Sequence, residues 1–226
     1  MDQQTLLARR DRTHAIVEGA LLGDIAIVFL LMRAYLPVPI VRQLMWTVAT
    51  VPFVMLTQRR GVKISMLAAV ASYLLFSALV GPILALSAIH IAVAGILIGI
   101  GRRVGLGAGV NTLASGPVFS ILDLVIPTIL GVIIFRYPVK QLVDTARHFV
   151  RLLFDALVAV LQKLPAPTSV VHEVRGWEGP AVEHWQIIWL IVMILYGTLT
   201  IYLVALVSYM VLNQIPEQTL ARQKTA

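Results

Sequence analysis

Gln58-Arg59-Arg60-Gly61-Val62-Lys63 separates an apolar run at 40–56 from another at 64–80, and Gly101-Arg102-Arg103 closes a third at 83–100. Runs of this length match membrane-crossing helices, which need roughly 17–25 apolar residues. Basic pairs at the ends of such runs carry orientation, because Lys and Arg accumulate in cytoplasmic loops. Working outward, further apolar runs lie at 15–36, 110–135 and 185–212. Pro37-Val38-Pro39 and Gly81-Pro82 mark turns between them. The spacing predicts an all-α, polytopic integral membrane protein with six transmembrane helices and one amphipathic helix.

Composition agrees. Of 226 residues, 59% are hydrophobic and 13% charged, against about 25% charged in soluble domains. Mean hydropathy is +0.89. The net charge of +7 would suggest nucleic acid in a soluble chain. Here it reads as orientation, and no nucleic-acid partner is expected. The chain has no cysteine, which removes disulfides and thiolate chemistry. The first apolar run is longer than a signal-peptide core and has acidic residues inside it, so no cleavable signal peptide is expected.

The expected organisation is a solvated cytoplasmic arm at 1–13, a five-span core at 14–135, an amphipathic helix and polar connector at 136–184, a last span at 185–212 and a cytoplasmic tail at 213–226. At 139–164, Lys140, Asp144, Arg147, His148, Arg151 and Asp155 recur every three or four residues. Leu142, Val143, Ala146, Phe149, Val150, Leu153 and Leu157 form the opposite face. This is the pattern of a helix lying at the interface or on other spans; a crossing segment is the alternative. With six spans, Arg9, Arg10, Arg12, Arg59, Arg60, Lys63, Arg102, Arg103, Arg222 and Lys224 share one side. That side is expected to be the cytoplasmic face of a plasma membrane, with both termini on it.

Ionisable residues inside spans are expensive and usually functional. Glu18 and Asp24 lie in the first span and Asp123 midway through the fifth. Glu18 is expected to pair with a basic neighbour near the interface. Asp24 and Asp123 are open between ligand binding and structural hydrogen bonding. Ala15, Gly19 and Gly23 make a small-residue stripe, which serves either packing within the chain or docking of a partner helix. Gly95 and Gly99 make a second helix-packing pair. Trp46, Tyr73, His90 and Asp123 are the candidate lining of a binding pocket, being aromatic or polar groups within apolar spans. His172, Glu173, Glu183 and His184 match no metal motif, and no P-loop or nucleophile elbow is present. No catalytic residue, metal or cofactor is assigned, and an enzyme is not expected.

The chain resembles the substrate-binding S components of energy-coupling-factor transporters, closest to the uncharacterised membrane proteins grouped with them. Three features carry the resemblance over residues 12–135: the stripe Ala15, Gly19, Gly23; the segment Pro52-Phe-Val-Met-Leu-Thr-Gln-Arg-Arg-Gly61-Val-Lys63; and Val93-Ala-Gly95-Ile-Leu-Ile-Gly99-Ile-Gly101-Arg102-Arg103. The resemblance implies six helices around an outward pocket that takes a vitamin-like molecule or a metal. It also implies docking of Ala15, Gly19 and Gly23 on a transmembrane coupling protein driven by cytosolic ATPases. Two other readings stand beside it: a membrane scaffold similar to rod-shape proteins, and a pigment-binding subunit.

Overall fold

The computed structural model describes residues 3–133, 136–164 and 167–214. The side chains of residues 1–10 and 12, with Arg9, Arg10 and Arg12 among them, and the expected tail from 215 onward lie outside the described residues. Every described element is a helix: α1 Gln3–Tyr35, α2 Pro39–Arg60, α3 Val62–Val80, α4 Pro82–Arg103, α5 Ala108–Ile133, α6 Val139–Lys163, α7 Thr168–Glu183 and α8 Trp185–Asn213. Six of them, all but α6 and α7, are long and apolar enough to cross a membrane. The chain is therefore a multi-pass helical membrane protein.

Two features add to the expected organisation. The arm at 1–13 is continuous with the first span, because α1 starts at Gln3 and runs unbroken into it. The polar connector is also a helix, α7. Its Gly176, Gly179 and Pro180 argue against helix, yet Val171, Val174, Glu178 and Ala181 fall on one helical line and are its more buried positions. Packing of α7 against α6 outweighs the low intrinsic propensity.

The molecule divides into two compact units, Met1–Phe119 with Gly197–Ala226, and Ser120–Tyr196. In the first unit α1 packs on α2 and α3, and α4 packs on α2 and α3. Gly61 and Gly81 make the α2–α3 and α3–α4 turns at φ of +85° and +90°, a region that side-chain-bearing residues avoid. The α2–α4 contact depends on the Gly95/Gly99 pair. A Cβ on Gly95 would sit 2.9 Å from the Thr50 carbonyl oxygen, and one on Gly99 3.0 Å from that of Val54. The two backbones approach this closely only because both residues lack a side chain. Around them Phe53, Val54, Leu56, Ile91 and Ile98 are almost fully buried.

The small-residue stripe on α1 faces α3. Gly19 lies against Ile64 and Ala68, and a Cβ on Gly23 would meet Ser72 Oγ at 2.6 Å. Gly19 and Gly23 thus serve packing within the chain, one of the two uses open in the sequence. A hydrogen-bonded girdle closes the other side of the unit. Buried Asn111 donates to the Ile98 carbonyl (2.9 Å) and accepts from Ser115 Oγ (3.0 Å). Tyr209 donates to the Leu106 carbonyl, while Arg102 lies 4.5 Å over the Tyr209 ring and donates to Asn213 at 2.9 Å. These bonds tie α4, α5 and α8 at the end of the unit that carries Arg102 and Arg103.

In the second unit, α6 has the amphipathic character expected for 139–164. Lys140, Asp144, Arg147, His148, Arg151 and Asp155 are all exposed. Ala146 and Val150 are buried, and Phe149 stands edge-on to Trp189 of α8 at 5.1 Å.

Candidate functional site

The end of α5, the start of α6 and the start of α8 enclose an apolar cleft of about 610 Å³ in the second unit. Leu124, Val125, Ile129 and Val132 form one wall, and Leu142, Val143 and Ala146 of α6 form the second. Trp185, Gln186, Trp189 and Leu190 form the third. The α6 residues belong to the apolar stripe of the amphipathic helix, so the periodicity that makes the helix amphipathic also makes the cleft wall. A volume of this size suits a small molecule, for which pockets of roughly 300–1,000 Å³ are usual.

Polar groups on the walls are few. Thr128 spends its hydroxyl on the Leu124 carbonyl (2.6 Å). Gln186 contributes an amide. The indole Nε1 of Trp185 is buried and makes no hydrogen bond among the described residues. That nitrogen is shielded from the cleft, so the open walls are almost wholly apolar. The chemistry that fits is an apolar body with few polar atoms.

The four residues expected to line a pocket do not assemble there. Trp46 is 6% exposed and packs edge-on to Phe119, with ring centroids 6.2 Å apart; it is core. Tyr73 is half-buried against that same core. His90 is half-buried on α4. Asp123 belongs to the second unit and immediately precedes Leu124, the first cleft residue, without itself forming the wall. Of the residues that do form the cleft, the sequence singles out only Leu142, Val143 and Ala146, on the apolar face of α6.

The intramembrane carboxylates separate clearly. Glu18 accepts from Arg60 Nε at 2.7 Å and lies 3.4 Å from Arg59 Nη1. Arg60 Nη1 reaches Asp11 at 3.1 Å. Glu18 is thus the paired carboxylate expected, and its partners are the basic pair that ends α2. Asp24 is different: it is exposed on α1, midway along the span at 13–35, and has no ion pair among the described residues. No group of three or more His, Asp or Glu side chains able to hold a metal occurs among the described residues.

No protein-family model, curated protein or solved structure matches the chain.

Proposed function

We propose that this multi-pass membrane protein is a non-enzymatic binding protein for an apolar or amphiphilic small molecule, held in the α5–α6–α8 cleft. As in the S components it resembles, it would act beside a partner membrane chain that carries the molecule inward. The observation that carries the reading is the cleft: about 610 Å³ and apolar on three sides. The lining favours a hydrophobic ligand over a metal or a highly polar vitamin. Exposed Asp24 supports the partner, since a carboxylate at membrane depth normally faces protein or water. The excess of Lys and Arg at the loops after α2 and α4 supports a plasma-membrane orientation with both termini cytoplasmic.

Native mass spectrometry of the protein released from mild detergent, with solvent extraction of the same sample, tests the binding reading. The wild type should carry a defined hydrophobic compound in near-stoichiometric amount. Val143→Trp, which fills the cleft, should lose it while retaining helical content. A wild type that binds nothing from a broad panel of isoprenoids, quinones and fatty acids would refute the reading and favour a scaffold role. The same compound on wild type and Val143→Trp would also refute it.

A further inference from the structure

A second pocket, of about 490 Å³, lies in the first unit between α1 and the end of α2. One end is charged, formed by Glu18, Arg59 and Arg60; the rest runs along Val17, Leu21 and Ile25. These three are spaced four residues apart, so they form one line up α1, and they are 46–60% exposed. Ile25 stands seven residues beyond Glu18, about 10 Å along the helix axis. Both arginines end the span Ile40–Arg60. The charged end is therefore at the edge of the hydrocarbon, and the apolar line points into it.

Donors remain at the charged end. A guanidinium has five N–H groups. Arg60 gives one bond to Glu18 and one to Asp11, whereas Arg59 gives a single long one to Glu18. Arg103 adds a third guanidinium, its Nη1 beside Gly61, and Lys63 is exposed on the first turn of α3. Among the pocket's own lining residues two guanidiniums, Arg59 and Arg60, stand against one carboxylate, Glu18, and the balance is positive.

We propose that this pocket binds an anionic phospholipid, with the phosphate on Arg59 and an acyl chain laid along Val17, Leu21 and Ile25. Glu18 and Asp11 both engage Arg60, which leaves Arg59, with its single long bond to Glu18, as the phosphate donor. A soluble phosphate would match the charge but not the apolar line. A zwitterionic lipid would match the line but not the positive balance. The site is independent of the α5–α6–α8 cleft.

Native mass spectrometry with phosphatidylglycerol and phosphatidylcholine of identical chains tests this. Phosphatidylglycerol should be retained about tenfold better, because phosphatidylcholine sets a quaternary ammonium beside the same phosphate and the guanidiniums repel it. Arg59→Gln should bring it to the phosphatidylcholine level. Leu21→Trp, at a position 60% exposed, should reduce retention of both lipids, and Val143→Trp should leave both unchanged. Glu18→Gln should raise phosphatidylglycerol retention, an effect that a purely structural ion pair would not produce. Equal retention of the two lipids, an unaffected Arg59→Gln, or displacement by soluble glycerol phosphate at concentrations matching the lipid would overturn the proposal.

Discussion

Replacing Gly95 by alanine tests the helix contact on which the first unit is built. The new Cβ would come within 2.5 Å of Phe53 Cβ, 2.9 Å of the Thr50 carbonyl oxygen and 3.2 Å of the Val54 nitrogen. Two of those three atoms are backbone, so no rotamer change relieves the clash and α4 must move away from α2. Restoring ordinary contact requires a shift of about 0.5 Å at Thr50 and about 0.9 Å at Phe53 Cβ, and gaps of that size forfeit roughly a quarter to a half of the dispersion energy of each opposed atom pair. The loss spreads along the interface, because Gly99 one turn on is equally close, 3.0 Å from its nearest backbone atom. Overpacking of this kind costs about 1–3 kcal/mol. Gly131→Ala on α5 is the control: a Cβ there meets nothing within 4 Å, and the substitution should be neutral or stabilise by up to ~1 kcal/mol. Reversible unfolding of both variants in bicelles, followed by steric trapping, gives the two differences directly. If Gly95→Ala is no less stable than Gly131→Ala, the close α2–α4 approach is not what holds the unit together.

Three further outcomes are expected. Glu18→Gln should destabilise by about 1 kcal/mol, because the ion pair it breaks is partly solvated and is discounted accordingly; denaturant unfolding in detergent reads this, and a loss above ~3 kcal/mol would mean the pair is buried far more deeply than its 22% exposure indicates. Since the chain has no native cysteine, Gly107→Cys and Gly176→Cys can be labelled singly with a membrane-impermeant maleimide in intact cells. Only the cysteine at position 176 should react, and labelling at 107 instead would reverse the orientation. Asp24→Leu should make the isolated chain easier to insert, by about 2.5–3.5 kcal/mol at the centre of a span, measured by translocon-dependent glycosylation of α1. Unchanged insertion would place Asp24 outside the hydrocarbon.

The six spans were legible because each is a long apolar run bounded by basic pairs or by Gly and Pro, signals that act locally. The amphipathic α6 was legible for the same reason: its charges recur at helical spacing. The α7 helix was not, because Gly176, Gly179 and Pro180 dominate a local reading while the contact with α6 that stabilises it is tertiary. Gly95 and Gly99 announced a close helix contact, but nothing in their spacing named α2 as the partner. Glu18 announced a basic partner, and only the fold chose Arg59 and Arg60 from the many available. Trp46, packed on Phe119, shows why a pocket lining is hard to read from sequence. An aromatic ring in the middle of a span has the same sequence signature whether it packs on Phe119 or faces a ligand. The cleft was hidden because it is assembled from residues more than sixty positions apart on three helices, none of them unusual alone.

The unbroken course of α1 has a mechanical consequence. Its 33 residues extend about 50 Å, some 20 Å more than the hydrocarbon is thick. An α-helix is stiff over that length, so the part preceding Thr13 and the part inside the bilayer move as one rod. The bridges from Arg60 to Asp11 and Glu18 grip the rod near the water boundary. Packing on α2 and α3 holds the part inside the bilayer, so the stretch before Thr13 is carried at the angle of the span itself and presents its side chains to the aqueous side in a fixed helical register.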